Sequence, residues 1–257
     1  MRLPDRQTSK RYVDKSQQAA ILRPDTPLAP SGAGCGAASN GGLSLFQASL
    51  MKTYVYIDGF NLYYRALKNT PYKWLNVATL CQLLLPRNQI QQINYYTAHV
   101  TARPNDPGQP MRQQTYLRAL RTLPHLSIVL GTFLTSEVWA LKAGNPPSQI
   151  EYVKIVKTEE KGSDVNLASH LLRDGFQQRY EAAVLITNDS DLVEPIKIVR
   201  QELGLPIGIL NPSQHPNPTL VRAASFIRSI RAGALRASQF PPTLTDQAGT
   251  FSKPAAW

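Results

Sequence analysis

Short apolar runs alternate with helical patterns from Thr53 onward, and this alternation is typical of β-α-β units that build a parallel sheet. Each run has four to six residues, is rich in β-branched and aromatic side chains and ends at turn residues, which predicts a buried strand. The predicted strands cover residues 54–57, 93–98, 126–130, 182–186 and 206–210. The predicted helices cover roughly residues 60–68, 75–85, 109–123, 164–178, 191–203 and 217–223. The chain should therefore form an α/β domain with a doubly wound, mainly parallel sheet of five or six strands.

Three segments depart from this pattern. Residues 1–50 mix Pro, Gly, Ser, Ala and Gln without periodicity, and we expect disorder there because such a segment buries too little apolar surface to offset its ordering entropy. Since the globular pattern begins directly after Met51, we hypothesise that Met51 is the native start. Residues 51–230 form the predicted domain, and residues 231–257, rich in Pro, Thr and Ala, form a predicted loose tail. Residues 134–161 are expected to form a long connection, which in compact domains often carries function.

The 257 residues carry a formal net charge of +11 and have a pI near 9.8, which favours an anionic partner such as nucleic acid. A membrane is a weaker candidate, because no Lys-rich amphipathic helix with bulky apolar residues opposite is evident and the apolar runs are too short to span a bilayer. Only Cys35 and Cys81 are present, which argues against a disulfide framework and a cysteine-based zinc site. Together with the lack of a secretory signal pattern, this favours a cytoplasmic protein.

Acidic residues follow two of the predicted strands at the point where each strand ends. Asp58 comes directly after the first strand and Asp189 three residues after the fourth, where open α/β sheets keep their ligand crevices. Asp164 heads the apolar stripe of its predicted helix and should point toward the edge of the core. Each acid also has a plainer interpretation. Asp58 can be a helix cap, Asp191 can form a capping box with Glu194, and the helix dipole alone can explain Asp164.

Carboxylates that converge from separate strand-to-helix connections repel one another unless a cation binds them. Oxygen ligands of this kind suit Mg²⁺ or Mn²⁺. A divalent ion held there would activate water and neutralise charge during phosphodiester hydrolysis. The sequence leaves open whether one or two ions bind, and the candidate ligands are Asp58, Asp164, Asp189 and Asp191.

Three motifs resemble, in order and spacing, those of the bacterial NYN domains of the PIN-like nuclease superfamily: Tyr56-Ile-Asp-Gly-Phe-Asn61, Glu160-Lys-Gly-Ser-Asp164 and Thr187-Asn-Asp-Ser-Asp-Leu192. The similarity covers about residues 51–230. It implies a PIN-like three-layer sandwich and a metal-dependent endoribonuclease that acts on RNA, with single-stranded RNA as the expected partner. The resemblance places Asp58, Asp164 and Asp189 at the family's metal-binding positions, with Asp191 in support. Many members carry Gly where Asn188 stands, a departure that leaves the acids unchanged.

Several polar residues of these motifs are candidates for contact with the substrate. Asn61 lies about one helical turn beyond Asp58 and can hydrogen-bond the attacking water or a phosphate oxygen, or it can merely satisfy local backbone. Lys161 matches a basic residue common before the Gly of the second motif and can contact phosphate, although exposed lysines are more often only solvated. We assign Asn188 and Ser190 of the third motif to substrate binding as well.

Basic and aromatic side chains outside the motifs offer weaker indications of a nucleic-acid surface. The basic candidates for steering a phosphate backbone are Arg103, Arg112, Arg118, Arg121, Lys142, Lys154 and Lys157, and a solvated surface is an equally good interpretation of each. Unpaired bases often stack on aromatic side chains, and the candidates for this role, which can equally be core residues, are Tyr63, Tyr64 and Trp139.

Other functions remain as alternatives to the nuclease. The nearest is a catalytically silent PIN-like RNA-binding module. A phosphatase of the haloacid-dehalogenase type is disfavoured because Phe60 occupies the position of its second acid. A restriction-type nuclease would use Glu159 and Lys161, which precede a Gly-Ser helix start and lie on no clear strand. The sequence has no phosphate-binding Gly-rich loop and no Gly-x-Ser-x-Gly elbow, and it leaves a homo-oligomer open.

Overall fold

The computed structural model describes residues 50–144 and 150–257, which belong to one unit running from Ala48 to Trp257. The disorder predicted for residues 1–50 therefore concerns a segment that lies, except for its last residue, outside the described part of the chain. The strands are β1 (Met51–Asp58), β2 (Asn88–Thr97), β3 (Leu126–Leu130), β4 (Thr132–Leu141), β5 (Tyr152–Lys161), β6 (Ala182–Ile186), β7 (Ile207–Asn211), β8 (Phe226–Ser229), β9 (Thr243–Asp246) and β10 (Gly249–Ser252). The α-helices are α1 (Gly59–Leu62), α2 (Val77–Leu84), α3 (Gln109–Arg121), α4 (Ser163–Phe176), α5 (Val193–Lys197), α6 (Pro218–Ala223) and α7 (Ala232–Ala237).

Six strands form a parallel sheet in the order β3-β2-β1-β6-β7-β8. From β1 the chain first builds outward through β2 and β3, and it then returns to build the other half through β6, β7 and β8. This arrangement confirms the predicted doubly wound α/β fold and selects the six-stranded option. The predicted strands correspond to β1, β2, β3, β6 and β7. The sixth, β8, escaped prediction because it is a four-residue edge strand of sequence Phe-Ile-Arg-Ser in which only Ile227 is even half-buried.

Helices cover both faces of the sheet, because successive side chains of each strand point to opposite faces. Ile57 of β1 packs on one face in a cluster that contains Leu80 of α2 and Leu117 of α3. Tyr56 points to the other face and joins a cluster that contains Leu167 of α4. All of these side chains are at most 1% exposed, and full burial of each contributes about 1.5–3 kcal/mol. The two clusters define a three-layer sandwich, as the resemblance implied.

Two of the predicted helices are shorter and less regular than the pattern suggested. α1 continues directly into a π-helical turn, Tyr63–Leu67. The helix predicted over residues 191–203 divides into a 3-10 turn (Ser190–Leu192), α5 and a second π-helical turn (Ile198–Glu202). No helix among the described residues is long and apolar enough to cross a membrane.

The segment 134–161 was wrongly predicted to be a long connection. Residues 134–141 and 152–161 lie in β4 and β5, which pair in antiparallel register from Thr132 opposite Lys161 to Leu141 opposite Tyr152, while residues 145–149 are outside the described part of the chain. Most side chains on both strands are exposed, so the segment lacks the alternation of apolar and polar residues that marks a half-buried strand. The hairpin also places Glu159 and Lys161 on a strand, contrary to the sequence-based expectation.

The tail after Arg231 was predicted to be loose, and the structure corrects this as well. Residues 232–257 contain α7 and the β9–β10 hairpin, and they cover Trp74, which is only 1% exposed. The Trp74 ring centroid lies 5.7 Å from that of Phe240 and 6.4 Å from that of Trp257, and its indole nitrogen donates to the Pro241 carbonyl at 2.7 Å. The apolar residues that make these contacts are too scattered along the tail to form a recognisable period.

Candidate metal centre

Three of the predicted acids meet at the carboxyl edge of the parallel sheet. Asp58 ends β1, Asp164 lies in the first turn of α4, and Asp189 precedes the 3-10 turn that follows β6. One carboxylate oxygen from each lies within 4.8 Å of the others. β1 and β6 are parallel neighbours, so two of the acids come together because adjacent strands end at the same edge. The third arrives because α4 starts at that edge.

Asp58 combines the two roles that the sequence offered as alternatives. Its Oδ1 accepts a hydrogen bond from the backbone nitrogen of Asn61 at 2.9 Å and so caps α1. Its Oδ2 accepts one from the Thr187 hydroxyl at 3.3 Å. The side chain is nevertheless part of the acidic group, because a carboxylate has enough lone pairs to serve a cap, a hydroxyl and a cation together.

Thr187 links two of the acids and was not recognised from the sequence. Its hydroxyl donates to Asp58 and accepts from the backbone nitrogen of Asp189 at 3.1 Å. The side chain is fully buried, so it ties the Asp58 carboxylate to the backbone of Asp189. Ile57 pairs with Ile186 across β1 and β6, and the residues that follow them are therefore neighbours. The register of these two strands could have revealed the contact between Thr187 and Asp58, but only once it is known that β1 and β6 are adjacent.

Glu160, the last but one residue of β5, fixes the start of α4. Its Oε1 accepts hydrogen bonds from the Ser163 nitrogen at 3.0 Å and from the Ser163 hydroxyl at 2.7 Å. Between these residues Gly162 adopts φ +96°, a left-handed conformation that favours glycine. This turn aims Asp164 at the other acids. From the sequence Glu160 is recognised only as part of a motif, because its contact with Ser163 depends on the turn at Gly162.

The electrostatics of the group favour a bound cation. Burial raises the pKa of the Asp58 carboxyl to about 7, and the nearby Asp164 and Asp189 carboxylates raise it as well, while the hydrogen bond from the Asn61 nitrogen lowers it. The pKa of Asp164 is also above its ordinary value, first because of burial and then because of Asp189 and other acids. A divalent ion would relieve this repulsion.

The profile of the NYN domain matches residues 52–230 of this chain. The chain belongs to the NYN domain family. A curated relative from Pseudomonas putida, 6-hydroxy-3-succinoylpyridine 3-monooxygenase HspA, is 30% identical over an alignment of 236 residues, and the match covers 80% of this chain and 75% of that protein. Among solved structures, a protein of unknown function from Vibrio parahaemolyticus is similar with a TM-score of 0.49 and 13% identity, covering 72% of this chain and 97% of the other.

Asp191 lies at the rim of the acidic group that Asp58, Asp164 and Asp189 form. It is exposed, and its backbone nitrogen donates to Asp189 Oδ1 at 3.0 Å. Its carboxylate is near enough to raise the pKa of Asp164, but it is not one of the three whose oxygens approach within 4.8 Å. A role for Asp191 as a metal ligand therefore stays a prediction, as do the roles assigned to the other candidates.

The asparagines of the motifs make structural contacts. The Asn61 side-chain oxygen accepts from the backbone nitrogen of Asn188 at 3.1 Å. Asn188 in turn donates to the His215 carbonyl at 3.2 Å and accepts from the Asn217 nitrogen at 2.8 Å. These bonds connect the loops after β1, β6 and β7. Ser190 is exposed in the 3-10 turn, where its hydroxyl is accessible to a substrate.

Most of the basic candidates are paired with acids. Lys161 is exposed and lies 3.1 Å from Glu159. Other ion pairs join Arg112 to Asp106, Arg118 to Asp246, Lys142 to Glu151, Lys154 to Glu137 and Lys157 to Glu159. Within the described ranges, Arg103 and Arg121 have no ion pair, so these two are the better candidates for contact with phosphate.

The aromatic candidates lie in different places. Tyr63 and Tyr64 pack edge to face with ring centroids 5.3 Å apart, and Tyr64 is 45% exposed beside α1. Trp139 is 68% exposed on the β4–β5 hairpin. Tyr64 is therefore accessible and close to Asp58 in the chain, whereas Trp139 is part of a separate surface.

In the metal-free protein, Asp58→Asn is expected to have a higher free energy of unfolding than the wild type, by a difference that grows as the pH rises. The folded state holds the Asp58 proton up to about pH 7, whereas the unfolded chain releases it near its ordinary pKa, so the wild type loses stability between these values. Asn keeps the cap and has no charge to bury. The gain should be about 1–3 kcal/mol at pH 8 and near zero at pH 4, measured by urea denaturation in EDTA. An equal difference at both pH values would contradict the burial argument.

Proposed function

We propose that this NYN domain is a metal-dependent endoribonuclease that hydrolyses phosphodiester bonds of single-stranded RNA in the cytoplasm, with Mg²⁺ or Mn²⁺ as its cofactor. The observation that carries the proposal is the approach of the Asp58, Asp164 and Asp189 oxygens to within 4.8 Å. Two oxygen ligands of one Mg²⁺ ion are at most about 4.2 Å apart, given metal–oxygen distances of about 2.1 Å. Small rotations of the side chains would therefore complete the site.

The divalent ion and the side chains of the protein would have different roles in the hydrolysis. A bound divalent cation would supply Lewis acidity, activation of water and neutralisation of phosphate charge. Asp58, Asp164 and Asp189 would hold it. Thr187 donates its hydroxyl to the Asp58 carboxylate and accepts from the Asp189 backbone nitrogen, and Glu160 orients Asp164 through the start of α4. Asp191 adds negative charge at the solvent side, where the ion would enter.

A groove beside the acids supports single-stranded RNA as the substrate. One pocket is lined by Glu160, Asp164 and Asp191, and the pocket next to it shares Glu160 and continues to Phe60, Tyr64, Arg103 and Phe133. The rings of Phe60 and Phe133 lie edge to face with centroids 5.7 Å apart. These two half-buried rings and the exposed Tyr64, with a nearby arginine, suit stacked, unpaired bases. A strand in this groove would place a phosphate at the acids.

The direct test is cleavage of labelled RNA by the full chain. We expect single-stranded RNA to be cut internally with Mg²⁺ or Mn²⁺, and duplex RNA to be cut at least about tenfold more slowly because its bases cannot stack on the groove. EDTA should abolish cleavage. Cleavage that persists in EDTA would contradict the metal mechanism. Tight RNA binding without cleavage under all ionic conditions would instead support the catalytically silent RNA-binding module.

A second candidate is oxygenation of a small aromatic compound. The observation that favours it is the 30% identity, over 80% of this chain, to a protein named for a monooxygenase reaction on 6-hydroxy-3-succinoylpyridine. Oxygen consumption with that compound and NADH measures this activity independently of RNA. Stoichiometric loss of oxygen and of the pyridine, with no cleavage of RNA, would replace the nuclease proposal.

A further inference from the structure

A second cavity lies next to Asp58, with Gly59 in its wall. It is formed by the first π-helical turn, the end of β2, α3 and the C-terminal Trp257. Its volume is about 60 Å³, several times what one water molecule needs. Neither the metal centre nor the RNA groove uses this space, although Phe60 and Tyr64 border both the groove and the cavity.

Aromatic side chains make most of the wall. Tyr95 and Tyr116 lie edge to face with ring centroids 6.3 Å apart, and Trp257 lies 5.7 Å from Tyr116. Tyr63 completes the wall on the side of the π-helical turn. Rings arranged edge to face around an empty space favour insertion of a further planar ring. A cavity that encloses benzene measures about 150 Å³, so a single ring bound here would be only partly enclosed, and a fused pair would fit less well.

Several polar side chains line the cavity, and the hydroxyls of Tyr95 and Tyr116 differ in their hydrogen bonds. Tyr95 is only 5% exposed, and in the described ranges its hydroxyl makes no hydrogen bond, whereas the Tyr116 hydroxyl donates to the Leu75 carbonyl at 2.9 Å. The backbone packs closely here, since a Cβ on Gly59 would lie 2.7 Å from the Tyr95 ring. Tyr95 is therefore held in place with its hydroxyl available to a ligand.

The charged groups of the cavity are all positive. Lys73 and Arg112 line it, and no Asp or Glu does. Arg112 is anchored by its ion pair with Asp106, while Lys73 has no ion pair among the residues that the structure describes. A cationic group beside an apolar, partly enclosed space attracts an anion whose remaining surface is apolar.

We propose that this cavity binds a small aromatic acid, with its single ring between Tyr63, Tyr95 and Tyr116, its carboxylate at Lys73 and a polar ring substituent at the Tyr95 hydroxyl. The cavity is separated from Asp58 by one residue, so the ligand lies beside the acidic group. A free acid is favoured over an RNA base because the charged groups that line the cavity are both positive and a nucleobase carries no anionic group on its ring. The proposal does not depend on the ribonuclease activity.

The test is calorimetric titration of the full-length protein in EDTA with four probes: benzoate, 4-hydroxybenzoate, benzyl alcohol and uridine 5′-monophosphate. We expect both carboxylates to bind and benzyl alcohol to bind at least about tenfold more weakly, because it lacks the charge. Lys73→Gln should weaken both carboxylates about fivefold or more, and Tyr95→Phe should weaken 4-hydroxybenzoate about fivefold while leaving benzoate unchanged. The matched control Lys52→Gln, at the opposite end of β1, should change nothing.

Three results would overturn the proposal. The first is no heat from either carboxylate at about 10 mM, a concentration that detects even a weak site. The second is equal affinity for benzyl alcohol and benzoate, or affinities that Lys73→Gln does not alter. The third is tighter binding of uridine 5′-monophosphate than of either acid, which would assign the cavity to a nucleotide. The titrations contain no free metal ion and no RNA, so their outcomes do not depend on whether the ribonuclease proposal is correct.

Discussion

Asp164→Asn is expected to lower the rate of Mg²⁺-dependent RNA cleavage by about a thousand-fold or more. The substitution removes one of three carboxylates that approach within 4.8 Å of one another, and the charge stabilisation supplied by a correctly held metal ion corresponds to several kcal/mol of the activation barrier. Asparagine has nearly the same size, so α4 should start as it does in the wild type. Single-turnover cleavage of a labelled RNA at saturating enzyme measures the effect on chemistry rather than on binding.

Two further variants test whether the loss of activity is specific to the three clustered acids. Glu194→Gln removes an exposed carboxylate that pairs with Lys197 and lies close in sequence to Asp189, and it should leave the rate unchanged. Asp191→Asn should reduce the rate by about tenfold, because Asp191 is exposed at the rim and contributes only long-range charge. Mg²⁺ should also raise the melting temperature of the wild type but not of Asp164→Asn. Full activity in Asp164→Asn would refute the metal centre.

Removal of residues 232–257 is expected to lower the free energy of unfolding by about 5 kcal/mol or more, enough to prevent cooperative folding of a typical domain. The deletion removes the buried side chains of Leu235 and Phe240 and uncovers Trp74, which are all at most 5% exposed. It also removes the acceptor for the Trp74 indole nitrogen and Asp246, which binds Arg118 through two hydrogen bonds. Urea denaturation followed by circular dichroism measures the loss.

A point substitution keeps this prediction testable if the truncated protein does not fold. Phe240→Ala should cost about 3–5 kcal/mol, the usual range for a large aromatic residue in a core. Trp139→Ala is the matched control, since its ring is 68% exposed on the β4–β5 hairpin, and it should leave stability within about 0.5 kcal/mol of the wild type. If the truncated protein unfolds at the same urea concentration as the full chain, the tail is loose, as its composition suggested.

The exposed ion pairs of the β4–β5 hairpin reduce the share of the net positive charge that can attract an anionic partner. Lys142, Lys154 and Lys157 each lie against a glutamate of the same hairpin, so this part of the surface contributes little to the positive field of the chain. The steering of an anionic partner depends on other residues. Among the candidates from the sequence, Arg103 borders the groove that supports the RNA proposal.

The sequence by itself determined most strands of the sheet, because a buried strand needs an apolar run and the runs that form β1 and β6 are bounded by turn residues. It also located Asp58, Asp164 and Asp189, since strand ends and helix starts are local features that motifs preserve. Only the tertiary structure decided the rest. Strand adjacency placed Thr187 beside Asp58, and the β4–β5 hairpin carried Glu160 to the start of α4. The tail is ordered because Trp74 and the β9–β10 hairpin cover each other's apolar surface. Since these residues are far apart in the chain, their contact produces no periodic hydrophobic pattern in either segment.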